Sequence, residues 1–442
     1  MPRQFENHPK RFALANELHA RPFQVMEAPG RVLHLALKKP EKAADRDPEA
    51  DLTHLIAFLD RHGAPHPAPG ANHYGHDFGR FRLTWERHTE FVSYTLYEPG
   101  ETDALFRAGL IAHFPESWLA EAPGLTIAAT EIELMRLERP TDATPPVPAS
   151  LQREFAMDSL AMASVLDGGA MALGDFRIHE NGFTRFAIAV HSEIGPRRIG
   201  RLAQRLIELE TYRTMAMLAL PIARETGKRL NELENELTDL TGLVAHQTED
   251  APESRILTVL TEIAAELEAL SARTAFRFGA GRAYEALVQQ RIAAMRETRL
   301  GGRQQFSEFM ARRFDPAMRT CQAVERRLSE LSIRAGRIAE LLRTRVDVKV
   351  QAQNQSLLES MDRRADMQLR LQETVEGFSV VAISYYSVSL AGYVIAPLAD
   401  KTGLSKDMLT ALVAIPVLVL VWAFVRRIRE RIRQSEGRGS SG

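Results

Sequence analysis

Two uncharged, apolar segments near the C-terminus constrain this chain more than any other feature. Residues 378–398 (FSVVAISYYSVSLAGYVIAPL) and 408–425 (MLTALVAIPVLVLVWAFV) contain no Asp, Glu, Lys or Arg. As helices they would rise roughly 31 Å and roughly 27 Å, close to the thickness of a bilayer core. We therefore expect two transmembrane helices in a hairpin. The alternative is a buried helical hairpin in a soluble domain.

Basic residues flank these segments unequally, which predicts their orientation. The connection ADKTGLSKD balances two lysines with two aspartates, whereas RRIRERIR follows the second segment. Because Lys and Arg are retained on the cytoplasmic side, we expect both termini, and the roughly 377 residues before the first segment, to be cytoplasmic. A basic tail (426–442) begins with five arginines: Arg426, Arg427, Arg429, Arg431 and Arg433.

The composition argues against several classes of function. Of 442 residues, 45% are hydrophobic and 26% are charged, as in ordinary globular domains. A net charge of −1, with acids and bases interleaved, argues against a nucleic-acid partner. Cys321 is the only cysteine, so no disulfide framework is expected. The chain has no phosphate-binding glycine loop, nucleophile elbow or zinc-protease motif, and we do not expect an enzyme.

Strand and helix patterns alternate over residues 1–192, which predicts a cytosolic α/β domain. A helix is expected in 47–63, between a capping aspartate and a glycine. The proline-rich stretch 138–150 is expected to be an extended connection. HYGH, which contains His73 and His76, is expected in a loop. Strands are expected in 31–39, 81–88, 90–97 and 125–136, and again between 160 and 192.

Helical periodicity dominates residues 193–377. One helix begins near Gly200 and is ended or kinked by Pro221. Between Pro316 and the first apolar segment there is no proline or adjacent glycine pair, which predicts one long stalk helix from about Met318 to Gly377. Its apolar residues recur at spacings of three, four or seven, so it needs partners, and we expect bundling or self-association.

Four motifs carry a resemblance to a known family. HPKRFALANELHARP, WERHTEF, DFRI and GRLAQRLIELETYRTMAMLALP resemble the signatures of a bacterial family of predicted membrane-anchored proteins of unassigned function. The resemblance runs from about His8 to the second apolar segment and implies a bacterial inner-membrane location. Within NELHARP we expect either a structural role, with a helix giving way to extended backbone before Pro22, or a ligand or subunit contact. The signature residues are Asn16, Glu17, His19 and Arg21.

The layout of the chain also resembles the CorA-type divalent-cation channels and transporters. Both have an α/β cytosolic domain, a long helix entering the membrane, two spans with a short outer loop, and a basic tail. The resemblance implies a homopentamer whose first span lines a pore. Those channels close that span with Gly-Met-Asn, whereas this chain has Gly392-Tyr393-Val394. The resemblance therefore does not extend to the selectivity filter.

Polar residues of the first span and its approach fall on one side of the predicted helix. At 100° per residue, six of them lie within about a 100° sector. They are expected either to line a pore or to pack helices together. Asp400, just past the span, would then lie at the outer mouth of such a pore. The six are Gln368, Gln372, Ser379, Tyr386, Ser389 and Tyr393.

A second set of residues suggests a divalent-cation site. If WERHTEF were a strand, Glu86, His88 and Glu90 would share one face. A carboxylate, imidazole, carboxylate row can bind a divalent cation, and His73 and His76 would fold over it from the preceding loop. The alternative is a solvent-facing strand beside a histidine-containing loop. Divalent cations are the only cofactors that the sequence suggests.

Two functions follow from these patterns. The first is an oligomeric CorA-like cation channel or transporter with a cytosolic regulatory domain. The second is a membrane-anchored sensor or scaffold that conducts nothing and binds a ligand or protein partner. The expected partners in both are the lipid bilayer and further copies of the same chain.

Overall fold

The computed structural model describes residues 6–17, 23–40, 46–101, 104–106, 109–137, 149–245, 253–402 and 406–439. It divides into two compact units, Met1–Ala339 and Glu340–Gly442. An α/β sheet domain is followed by long helices and a C-terminal apolar helix, as the sequence predicts.

The described part of the first unit contains one nine-stranded sheet in the order β2-β3-β4-β1-β5-β8-β7-β6-β9. Neighbouring strands are antiparallel except β5 and β8, which are parallel. The strands are β1 Gly30–Lys38, β2 His73–Asp77, β3 Arg82–Arg87, β4 Phe91–Pro99, β5 Leu125–Leu137, β6 Ala161–Val165, β7 Ala170–Ile178, β8 Thr184–His191 and β9 Thr298–Arg299.

Helices cover both faces of this sheet. Three short ones are α1 Arg11–Glu17, α3 Glu116–Ala120 and α4 Ala149–Gln152, and α2 spans Pro48–Arg61 with Asp47 as its predicted cap. The remaining described helices are α5 Pro196–Met217, α6 Ala219–Ala245, α7 Glu253–Met295, α8 Phe306–Arg313, α9 Asp315–Thr402 and α10 Lys406–Gly439. Helix α9 runs from the first unit into the second, and α10 belongs to the second unit.

The core forms because β1 is apolar on both sides. Val32 and Ala36 point to one face, which Leu202 and Leu206 of α5 cover, and we call this the α5 face. Leu33, Leu35 and Leu37 point to the other face, where Phe58 of α2 and Trp118 of α3 pack. Both faces are covered, and His34, Thr130 and Thr184, which lie on the α5 face, are buried.

In the second unit, α10 packs against the end of α9. A Cβ added to Gly392 would lie 3.3 Å from Thr410 Cγ2, so the small glycine permits a close approach of the two helices. Two helices, within Asp315–Ile395 and Thr410–Ile428, contain stretches that are long and apolar enough to cross a membrane, by length and composition alone.

Candidate functional site

A row of five polar side chains crosses the α5 face of the sheet. Thr84 pairs with Thr95, Thr95 with His34, His34 with Thr130, and Thr130 with Thr184 in the registers of five adjacent strands. Cross-strand partners lie side by side on one face, so the row is continuous. His34, Thr130 and Thr184 are at most 4% exposed. We call this set the polar row.

His34 is the only ionisable member of the row. Its Nδ1 lies 2.8 Å from Thr95 Oγ1, and its Nε2 lies 3.3 Å from Thr211 Oγ1 of α5. Burial lowers the pKa of His34 to about 3. The ring is therefore neutral at physiological pH, with one nitrogen that donates and one that accepts.

An inner chamber lies between this row and α5. It encloses about 550 Å³, including the space that opens to solvent. Its lining mixes hydroxyl, amide, imidazole and carboxylate groups with a few apolar side chains: Gln24, Met26, His34, Thr84, Glu86, His88, Phe91, Ser93, Thr95, Gln204, Ile207, Glu208, Thr211 and Tyr212.

An outer chamber of about 850 Å³, again counting open space, shares part of this lining. The common wall consists of Glu86, His88, Gln204, Glu208 and Tyr212. The outer chamber adds Phe23 and Arg205, together with Gln290, Arg291 and Ala294 of α7. The two chambers together form a cavity that leads from solvent towards His34.

The two carboxylates of the common wall have different surroundings. Glu208 accepts hydrogen bonds from Gln204 Nε2 at 3.1 Å and from Arg291 Nε. Glu86 Oε2 lies 3.9 Å from His88 Nε2. His88 in turn stacks on Phe91, with ring centroids 4.2 Å apart. On the helix side, Glu208 of the common wall is therefore paired with Arg291 of the outer chamber, and on the sheet side a carboxylate lies beside an imidazole.

Arg205 is the most unusual side chain of the outer chamber. It is half-buried, and among the described residues it makes no hydrogen bond or ion pair. Burial, followed by the charges of the neighbouring Arg201 and Arg291, lowers the pKa of Arg205, and the charge of Glu208 opposes this shift in part. Two guanidiniums, Arg205 and Arg291, and two carboxylates, Glu86 and Glu208, line this chamber, and Arg291 is the guanidinium that is bonded to Glu208.

Gln24, which lines the inner chamber, packs tightly against Gly200 of α5. Gln24 Nε2 donates to Thr84 Oγ1 of the polar row, and the buried Gln24 Oε1 has no hydrogen-bond partner among the described residues. A Cβ added to Gly200 would lie 1.8 Å from the Gln24 carbonyl oxygen. Only glycine allows α5 to approach this segment so closely.

The five residues predicted to bind a metal ion do not come together in one place. His73 and His76 lie in strand β2 rather than in a loop, and alternation puts them on opposite faces. His73 is paired with Glu86, whereas His76 is paired with Leu83 of the opposite core. Within the described ranges, no group of three or more His, Cys, Asp or Glu side chains is arranged to hold a metal ion.

Glu90 does not lie on one strand with Glu86 and His88, because β3 ends at Arg87 and β4 begins at Phe91. The expectation of one continuous strand face through WERHTEF is therefore wrong. Glu90 instead accepts hydrogen bonds from Arg277 Nη1 and Nη2 of α7 at 2.7 and 3.0 Å. Of the five candidates, Glu86 and His88 line the cavity.

The predicted pore residues all belong to α9. Gln368, Gln372, Ser379, Tyr386 and Tyr393 are exposed, and Ser389 is half-buried. Ser379 Oγ donates to the Val375 carbonyl oxygen of its own helix at 2.9 Å. Asp400 also lies in α9, but its side chain is outside the described residues.

The signature segment leads directly into the cavity wall. Asn16 and Glu17 are the last residues of α1, and their side chains are outside the described part of the chain. His19 and Arg21 also lie outside it. The next residues, Phe23 to Met26, contribute to both chambers.

Sequence reasoning missed His34, Arg205 and the hydroxyls of the polar row. One signal was present in RVLHLALKK, where a histidine interrupts an apolar strand, and another in EFVSYTLY, where Ser93 and Thr95 alternate with apolar residues. A polar residue on a strand buried on both faces needs a polar partner, which predicts a polar interior. The helix partners, Arg205 and Thr211, follow only from the packing of α5.

The chain belongs to a family of proteins of unknown function, because a family model covers nearly all of it. The model is described as "Protein of unknown function (DUF3422)" and matches residues 6–432. No curated protein matches the chain in sequence.

Proposed function

We propose that this protein is a membrane-anchored sensor that binds a small polar ligand in its N-terminal unit. The observation that carries the proposal is the cavity that leads from the half-buried Arg205 to the neutral, fully buried His34. Ligand sites are typically concave and combine apolar walls with a few converging polar groups. Side chains with strongly shifted pKa values also concentrate at such sites.

The length and composition of the C-terminal helices support membrane anchoring. Both contain stretches sufficient to cross a bilayer, and Gly392 permits close packing of α10 on α9. The arginines that begin at Arg426 favour a cytoplasmic location for both termini, in the inner membrane of a bacterium.

Exposed apolar residues on α9 support self-association. Leu357, Met361, Leu371 and Val375 are 57–67% exposed and lie on one side of the helix. A long helix with an uncovered apolar side is marginal alone and gains stability by packing against other helices. We propose a homo-oligomer, and the resemblance to CorA-type proteins favours a pentamer.

A CorA-like cation channel or transporter is the second candidate. It is favoured by the polar stripe on α9, of which Tyr386 and Tyr393 are 71% and 76% exposed. In an oligomer this stripe would face a central axis. Ion flux in proteoliposomes tests this candidate, with a Ser389→Leu, Asp400→Ala variant as the control. Flux that requires those two residues would favour the channel over the sensor.

Thermal unfolding with a panel of small polar metabolites tests the sensor proposal. We expect at least one compound to raise the Tm of the full chain, because a ligand that binds the folded state alone stabilises it by mass action. The matched variant is Gln204→Trp, which places a large side chain on the half-buried wall common to both chambers. Stabilisation that persists in Gln204→Trp would contradict binding in the cavity.

A further inference from the structure

We propose that the ligand of this cavity carries a carboxylate or phosphate group, bound by Arg205 in the outer chamber, and a hydroxyl-bearing body that reaches the polar row. This inference rests on the proposed ligand-binding function and specifies its ligand class. The inference is drawn by comparing the charged side chains of the cavity that form ion pairs with Arg205, which forms none among the described residues.

The unpaired charge is the guanidinium of Arg205. It is half-buried, it lines the outer chamber, and it has no hydrogen bond or ion pair within the described residues. A guanidinium that has lost part of its hydration gains strongly from an anionic partner. Its planar fork also matches the two oxygens of a carboxylate or phosphate.

The nearby carboxylate on the same helix does not supply that partner. Glu208 is bonded to Arg291 of α7 and to Gln204 of its own helix. Glu208 therefore acts on Arg205 through its charge alone, because its carboxylate is bonded to Arg291 and Gln204 and makes no hydrogen bond to Arg205 among the described residues. Arg201 and Arg296 also act electrostatically on Arg205, and both raise the local positive potential.

The inner chamber offers hydrogen bonds to an uncharged polar group. The hydroxyls of Thr84, Ser93 and Thr95 line it beside the neutral ring of His34. The buried Gln24 Oε1 has no partner among the described residues and can accept a hydrogen bond from a ligand hydroxyl. These groups suit the alcohol functions of a small organic acid or phosphate ester.

Four compounds with the same three-carbon frame separate the possible ligand classes. Glycerol is uncharged, glycerate carries a carboxylate, glycerol 3-phosphate carries a phosphate, and 3-amino-1,2-propanediol carries an ammonium group. Their binding to the full chain is measured by calorimetry at millimolar concentrations. We expect one or both anions to bind more tightly than glycerol and the amine, and the preferred anion distinguishes a carboxylate from a phosphate ligand.

Arg205→Gln is the decisive variant. Loss of one charged hydrogen-bonding partner is expected to weaken anion binding by about ten-fold to a hundred-fold. Arg205→Lys keeps the charge without the fork and is expected to bind with intermediate affinity. Arg197→Gln, an exposed position on the same helix, is the matched control and should bind as the wild type does.

The outcomes separate this inference from the function on which it rests. Anion binding that Arg205→Gln leaves unchanged, or failure of both anions to bind, would overturn the inference. Binding of the amine or glycerol instead, abolished by Gln204→Trp, would overturn it while leaving the cavity as a ligand site. Binding of any of the four that neither Gln204→Trp nor Arg205→Gln alters would contradict both proposals.

Discussion

His34 is a buried neutral base, and its titration gives the fold a specific dependence on pH. Burial lowers its pKa from 6.5 to about 3, so between these values the unfolded chain binds a proton that the folded chain does not. Stability is then lost as the pH falls below about 6.5, by up to roughly 1.4 kcal/mol per pH unit. Above that pH the contribution is constant.

His34→Gln tests this dependence because glutamine stays neutral and still forms hydrogen bonds. We expect the free energy of unfolding of the wild type to fall more steeply between pH 6.5 and about 4 than that of the variant. Urea denaturation across this range measures the difference. Parallel pH profiles would show that His34 is not the buried titrating group.

Glu90 and Arg277 form the second residue-scale prediction. Their side chains are only 3% and 10% exposed, and they join the β3–β4 turn to α7. Glu90→Gln removes one charge and leaves the guanidinium buried, which is expected to cost about 3–5 kcal/mol of unfolding free energy. Asp60→Asn, whose side chain is 61% exposed, is the control and should change stability little. Equal effects of the two substitutions would rule out a buried ion pair.

Helix α5 is the element that closes the cavity, and its fit depends on Gly200. Because an added Cβ would overlap the Gln24 carbonyl oxygen, Gly200→Ala must push the helix away from the segment that lines the inner chamber. We expect a loss of about 1–3 kcal/mol in unfolding free energy, as for other overpacked sites.

Gly242→Ala in α6 provides the matched control for Gly200→Ala. Apart from its chain neighbours and the backbone of its own helix, no atom of the described residues lies within 4 Å of the Cβ that would be added there. Alanine has the higher helix propensity, so this substitution is expected to stabilise the protein by up to about 1 kcal/mol. Chemical denaturation of both variants gives the comparison, and the same sign for both would contradict the close packing of α5.

Local sequence patterns predict most of the elements but not β2. Strands β1, β3, β4 and β5 have the apolar and β-branched residues that the pattern requires. HYGHD has no β-branched residue and only Tyr74 as an apolar one, and it forms a strand because it pairs with β3 along the sheet edge. Tertiary pairing of this kind leaves no local signal, which is why HYGH was predicted to be a loop.

Helix α5 ends a few residues before the proline that predicts its end. Pro221 was expected to end or kink the helix, and α5 ends at Met217. Met217 is four residues before the proline, and its carbonyl is the one that a proline ring would meet. The position of Pro221 therefore predicts where α5 ends. The cavity beneath α5 depends on packing between residues far apart in sequence, which a local pattern cannot predict.

At the scale of the whole molecule, the proposal requires copies of the chain to associate through α9. Leu357→Glu with Met361→Glu places two charges on the exposed apolar side, at positions 61% and 62% exposed. We expect this variant to associate more weakly, because charged groups at a helix interface must be desolvated. Light scattering of the protein in detergent measures its mass.

Ala352→Glu with Gln355→Glu is the control for this variant. Both positions are exposed and lie on the opposite side of α9 at 100° per residue. This change should leave the mass unaltered. A monomeric wild type, or equal loss of mass in both variants, would contradict association through the apolar side.

The central claim, that the cavity beneath α5 binds a ligand, is tested most directly by hydrogen–deuterium exchange. The full chain is measured with and without the compound that most raises its Tm. We predict slower exchange in peptides from β1 and α5, which line the cavity, and little change in α2 on the opposite face of the sheet. Slower exchange confined to α9 and α10, or no change with any compound of the panel, would contradict the claim.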